Sequence, residues 1–219
     1  MERHHFEAEL RVLRECVARM GALVCSRLEA CLRALAGRDF EAARFVVDHD
    51  EEINALQIEI DERALRLLAL QQPAARDLRF ITATVKANAD LERIGDQAVN
   101  IAGTTMELLH RAGLTLEPVV LEMGRIALAM TRDGLASFLD GNALLARDVL
   151  ARDDEVDAMK HQVVRDLVAL MTRDPSTIER AVNLLFIGRN FERVADHATN
   201  MAEDAIFLVE AKDVRHHHE

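Results

Sequence analysis

At 219 residues and a formal net charge of −11, the chain is long enough to bury a sizeable core and too acidic to track a nucleic-acid backbone. Half of it is apolar and 30% is charged, which is a soluble globular composition, and there is no Trp or Tyr. Scarce aromatics, three Pro, nine Gly and an abundance of Ala, Leu, Arg and Glu exclude a large sheet core and predict an all-α fold.

The opening run Met1 to Phe6 lacks the apolar core of a signal peptide. No later stretch approaches the roughly 18 uninterrupted apolar residues that a membrane span needs, so a cytoplasmic protein is expected. From Phe6 to about Ala36, the residues Leu10, Leu13, Val17, Met20, Val24, Leu28, Leu32 and Leu35 recur at three- and four-residue steps. They predict one long amphipathic helix, closed by Gly37. Cys16, Cys25 and Cys31 fall within it and read as reduced core thiols. Asp39 is the expected N-cap of a second helix carrying Ala42, Val46, Ile53, Leu56, Ile60, Leu67 and Leu70. Pro73 sits where a third begins, running from Ala74 to about Arg111. Gly113 and the run Thr115 to Pro118 mark the middle of the chain. A fourth helix, Val119 to about Leu139, stops at Asp140-Gly141-Asn142, a fifth reaches about Met171, and Asp174-Pro175-Ser176 opens a sixth. His216, His217 and His218 read as a polar tail without function.

The third and sixth helices share a phrase. Glu92-Arg93-Ile94-Gly95-Asp96-Gln97-Ala98-Val99-Asn100 returns as Glu192-Arg193-Val194-Ala195-Asp196-His197-Ala198-Thr199-Asn200, displaced by 100 residues. Asp50 to Leu56 aligns with Asp153 to Met159, and Pro73 with Pro175. Such self-similarity predicts a tandem duplication of a three-helix bundle, six long helices in all. The repeats are residues 1–112 and 113–219.

Stepping about 100° per residue places Leu78, Ile81, Val85, Asp96 and Val99 within about 40° of Glu92. Ile178, Ala181, Leu185, Asp196, Thr199, Glu203 and Ile206 cluster likewise around Glu192. Each helix therefore carries two carboxylates, four residues apart, on a stripe expected to be dry. Burying an uncompensated anion costs several kcal/mol. An Arg from a neighbouring helix, a raised pKa or a bridging cation could each compensate. Oxygen-only ligands suit hard ions such as Mg²⁺, Mn²⁺, Ca²⁺ or iron.

These repeated motifs, with Asp50 to Ile53, Asp153 to Val156 and the terminal Lys212 to His216, resemble the PhoU family of phosphate-specific transport system accessory proteins. The resemblance covers nearly the whole chain. It implies metal ions (iron, Mn, Mg or Zn) held by Glu92 and Asp96 in one site and by Glu192 and Asp196 in the other. Asn100, Asn200, Asp50 and Asp153 are possible additional ligands. It also implies a non-enzymatic negative regulator of phosphate uptake and signalling. The expected partners are the phosphate ABC transporter, through its ATPase subunit, and the phosphate sensor histidine kinase. A homodimer, peripheral membrane association and no nucleic acid complete that expectation.

The rival reading is a carboxylate-bridged metal enzyme of helical-bundle type. Such enzymes use Glu-x-x-His on two helices, whereas Glu107 to His110 is answered in the sixth helix by Phe207-Leu208-Val209-Glu210. No phosphate-binding glycine loop, nucleophile elbow or Ser/His/Asp arrangement is present, so no catalytic residue and no organic cofactor are assigned.

Overall fold

The computed structural model describes residues 2–71, 73, 75–110 and 118–214, with side chains for all of these except 2, 3 and 71. Ala74, Arg111, the 112/113 repeat boundary, Gly113, Thr115 to Glu117, Arg215 and the terminal histidines lie outside them. Among the described residues the chain is all-α. It forms α1 (Glu2–Gly37), α2 (Phe40–Asp48), α3 (Glu51–Gln71), α4 (Ala75–Leu109), α5 (Pro118–Asp140), α6 (Ala143–Arg173) and α7 (Ile178–Glu210), with a 3-10 turn at Pro175–Thr177.

The predicted second helix is two helices. The break falls at His49 and Asp50, within the polar run Asp48 to Glu52. Asp50 starts α3. Its carbonyl accepts from Ile53 N at 3.0 Å and Asn54 N at 3.4 Å, and its carboxylate accepts from Asn54 Nδ2 at 3.1 Å. Aspartate favours helix starts because its short side chain competes for backbone partners. Arg27 of α1, itself buried, braces the break: Nη2 donates to Glu52 at 2.7 Å and to the His49 carbonyl at 3.5 Å, while the guanidinium lies 4.5 Å over the Phe45 ring. Around Asp153, the matching stretch of α6 runs unbroken.

Other boundaries follow the sequence closely. Asp39, Asn142 and Asp174 accept from Ala42 N at 3.0 Å, Leu145 N at 3.1 Å and Ser176 N at 3.0 Å, as N-caps should. At the end of α1 the left-handed residue is Arg38, φ 56°, rather than Gly37, and Asp39 N returns to Ala34 O at 3.0 Å.

α1, α2 with α3, and α4 make one three-helix bundle, and α5, α6 and α7 the other. The two lie side by side. α4 runs antiparallel along α7, where Lys86 Nζ meets Asp204 Oδ1 at 3.1 Å and Asp90 meets His197. α1 runs antiparallel along α5, tied by Arg132 to Glu29 and by Arg14 to the Leu139 carbonyl. One continuous core results, including Leu13, Val17, Met20, Leu91, Ile94, Phe138 and Phe191. No helix among the described residues is long and apolar enough to cross a membrane.

The duplication reaches the packing itself. In the first bundle Cys31 Sγ donates to the Ala98 carbonyl at 3.2 Å. In the second, the corresponding Ala198 carbonyl faces Gly134, where an added Cβ would stand 3.0 Å from the oxygen. Gly134 thus lets α5 approach the α7 backbone. Gly134→Val is expected to lose about 1–3 kcal/mol by overpacking, read as a lower urea midpoint at unchanged slope. All three cysteines are free and buried, and burial pushes the thiols of Cys25 and Cys31 up to about 11 and about 12.

Candidate functional site

The two acidic motifs flank the α4–α7 seam. Glu92 and Asp96 occupy adjacent turns of α4; the Glu92 side chain is 18% exposed and that of Asp96 37%. Arg93, on the same helix, reaches both, 3.5 Å from Glu92 and 3.3 Å from Asp96. The break before α3 brings in Asp50. The Glu92 carboxyl is held above its usual range by burial first, then by Asp96 and Asp50, against the opposing pull of Arg93 and His197.

On α7, Glu192 is 16% exposed and is paired with Lys160 of α6. Lys160 also stands 3.9 Å from Asp157, and its bond to Glu192 holds the ammonium above its ordinary range. Asp196 lies on the exposed side of the same helix, so the expected dry stripe is the margin of the buried face. The rest of that stripe behaves the same way: Ala181 and Ile206 are buried, but Ile178 is 45% exposed. Asp196 is nevertheless pushed up to about 6, by desolvation first and then by Glu192, Asp153 and Asp157, with His197 opposing. Asp50 and Asp153 therefore stand electrostatically where the repeat alignment puts them, each beside its own acidic pair.

The asparagines are placed differently. Asn200 Nδ2 donates to Asp90 Oδ1 at 3.0 Å, and the same oxygen lies 2.8 Å from His197 Nδ1. Asn100 is exposed, and its carbonyl accepts from Thr104 Oγ1 at 2.9 Å. Duplication pairs Asp90 with Asn190 and His197 with Gln97, whose Oε1 is buried without a partner. The Asp–His version of the contact is thus built once, across the seam, close to both acidic pairs.

The family-model comparison matches a PhoU domain twice, over residues 17–105 and 120–205. The chain belongs to the PhoU family. It is 34% identical to a phosphate-specific transport system accessory protein PhoU homolog of Clostridium acetobutylicum, covering 98% of each chain. A PhoU homolog of Aquifex aeolicus, with the same description, is 39% identical over 96% of this chain and 95% of its own. The crystal structure of PhoU from Pseudomonas aeruginosa superposes with a TM-score of 0.92 at 36% identity, over 94% of this chain and 100% of that one. The phosphate transport system regulatory protein PhoU from Streptococcus pneumoniae gives 0.89 at 30% identity, over 95% and 99%.

Within this PhoU fold, the fit of the acidic sites to a metal rests on donor chemistry and charge. Both offer carboxylate oxygens alone, the ligand type hard cations take. Both hold a carboxyl above its ordinary pKa, through burial first and neighbouring carboxylates second, a cost that a bound cation would relieve. Among the described residues no three His, Cys, Asp or Glu side chains are already gathered as a metal-holding group. Arg93 and Lys160 occupy part of the carboxylates' valence instead. The sites fit a cation that displaces or supplements these side chains.

Sequence reasoning missed Lys160 and Asp90 because neither belongs to the repeated phrase: Lys160 comes from α6, and Asp90, though on α4, is answered in the second copy by Asn190. His197 is half-buried against Asp90. A pH effect follows from Asp196. Its folded pKa of about 6 exceeds the unfolded value near 3.9, so the native state binds its proton more tightly. That contribution favours folding at low pH and is lost as pH rises from about 4 through about 6. In metal-free buffer, Asp196→Asn should raise Tm at pH 7 and converge with the parent near pH 4. An equal offset at both pH values would contradict the raised pKa.

Proposed function

We propose that the chain is a non-enzymatic regulator of phosphate uptake whose two acidic sites, Glu92 with Asp96 and Glu192 with Asp196, hold divalent or trivalent metal ions. Asp50 and Asp153 are the supporting carboxylates, each adding negative charge beside its own pair. Asn200 donates to Asp90 through its amide nitrogen, and Asn100 and Asn200 stand as further candidate ligands one turn along the same helices. The observation that carries the reading is the duplicated carboxylate pair, with Asp50 and Asp153 beside it, in a chain of the PhoU family. Relatives named as accessory proteins of the phosphate-specific transport system support a regulatory role over catalysis.

In this reading the protein works at the cytoplasmic side of the membrane, as a homodimer, between the ATPase subunit of a phosphate ABC transporter and a phosphate sensor histidine kinase. The halves 1–112 and 113–219 each supply one site. A bound cation would supply the positive charge these carboxylates lack and offer open positions to acidic or phosphate groups of a partner. The chain's own part is to hold the oxygens on rigid helix turns of α4 and α7, with Arg93 and Lys160 balancing the charge in the cation's absence.

The test replaces Glu92, Asp96, Glu192 and Asp196 with Ala together. Elemental analysis of the purified protein should lose its Fe, Mn, Mg or Zn, and a phosphate-regulon reporter should become active in phosphate-replete cells. Metal content equal to the parent's would overturn the ligand assignment. Loss of metal with normal repression would separate the cation from the regulation.

A further inference from the structure

A second polar feature stands away from the acidic sites, where the start of α4 meets the end of α5. Arg76 and Arg79 lie in the first two turns of α4, and Arg14 comes from α1. Together with Phe80, Phe138 and Asp140 they line a cavity of about 360 Å³. That volume is at the low end for small-molecule pockets.

Three arginines lining one cavity in a chain of net charge −11 need an explanation. Two of them also stand near the positive end of the α4 dipole, which is the unfavourable end for cations. Among the described residues, Arg76 and Arg79 find no ion-pair partner, and Arg79 Nε is buried without an acceptor. Asp140 is one carboxylate against three arginines. Arg14 is held in place: it donates to the Leu139 carbonyl, and its guanidinium lies 4.5 Å from the centre of the Phe80 ring. Phe80 stacks on Phe138 at 5.9 Å, giving the cavity an aromatic wall.

We propose that this cavity binds a small organic phosphate, with its oxygens on Arg14, Arg76 and Arg79 and its apolar body against Phe80 and Phe138. Guanidinium forks match the paired oxygens of phosphate. A phosphomonoester presents three terminal oxygens and close to two negative charges. A carboxylate has one charge and two oxygens, and would leave an arginine unanswered. The proposal does not rest on the metal reading, because no residue of either acidic site lines this cavity.

Phenyl phosphate is the probe, titrated calorimetrically into the full chain in metal-free buffer. One saturable site is expected. Arg79→Lys keeps the charge but loses the fork, and should weaken binding about fivefold; Arg76→Ala with Arg79→Ala should weaken it more than about tenfold. Melting curves of each variant establish that it is folded, and the Lys variant alone decides the question if the double variant is not. Glu192→Ala with Asp196→Ala should bind as the parent does. Benzoate should bind at least about tenfold more weakly. Absence of saturable binding, affinity unchanged in Arg79→Lys, loss of binding in the acidic-site variant, or equal affinity for benzoate overturns the proposal. Inorganic phosphate binding as tightly as phenyl phosphate overturns the organic half of it and assigns the arginines to the free anion.

Discussion

Phe191→Ala is expected to lower the unfolding free energy by about 3–5 kcal/mol, the range for removing a buried ring without collapse of the hole. Phe191 is fully buried on α7. Its ring fills the hollow left by Gly124 on α5, where an added Cβ would come within 2.6 Å of the ring Cζ and of Leu32 Cδ2. Truncation therefore opens space against a helix that has no side chain there to move in. Equilibrium urea unfolding measures the loss, and Gly124→Leu in the Phe191→Ala background should recover part of it. A loss below about 1 kcal/mol would show that α5 and α7 close on the gap. The same substitution in the first repeat, Leu91→Ala, should cost about 2–5 kcal/mol, since Leu91 is also fully buried.

Lys160→Met should strengthen metal binding at the second acidic site by about tenfold or more, on the reading that Glu192 and Asp196 are ligands. A positive charge about 4 Å from a cation contributes a few kcal/mol of repulsion at the effective dielectric of a protein surface, and each 1.4 kcal/mol is about tenfold. Lys160 is now paired with Glu192, so its removal also frees a ligand oxygen. In metal-free buffer the same variant should be less stable than the parent above pH 6, where Asp196 is ionised and the cluster has lost its internal cation. Added Mn²⁺ should then restore more stability to the variant than to the parent, as ligand linkage requires. Affinity unchanged by the substitution would place the ion elsewhere. Arg93 is the analogous side chain in the first site, but it lies on the same helix as its carboxylates and more than half exposed, so Arg93→Met should shift affinity less.

Much of the fold was legible because period and chemistry agree along α1, α5 and α7. Leu13, Val17, Met20, Val24, Leu28 and Leu35 recur with helical spacing and are all buried. The caps at Asp39, Asn142 and Asp174 were readable from residue type alone. The His49–Asp50 break was not, since neither Gly nor Pro marks it and its brace, Arg27, lies far away in sequence. The face of α4 was misjudged for a related reason. A rotation centred on Glu92 assigns Leu78 and Val85 to the interior, yet both are substantially exposed, because the deepest residues are Ile81, Leu91, Ile94 and Ala98. α4 is covered by α1, α2, α3 and α7, and one sequence stripe does not record a cover made by four neighbours. The acidic pairs were found because duplication marks them twice. Lys160 and Asp90 were not, because they occur once each.

The seam between α4 and α7 also bears on how the chain comes off the ribosome. Its contacts join residues far apart in sequence, 107 positions between Asp90 and His197 and 118 between Lys86 and Asp204. At about 5–20 residues per second, α4 would wait roughly 5–20 s for α7 to emerge. In that interval the flank of α4 that later faces α7 stays open to water or to a chaperone. The first three-helix unit can nucleate early on its local contacts, but closure of the whole is deferred to the helix made after all the others. A ribosome stalled within α6 should consequently hold a compact yet sticky nascent chain, one whose protease resistance rises only once α7 has cleared the exit tunnel.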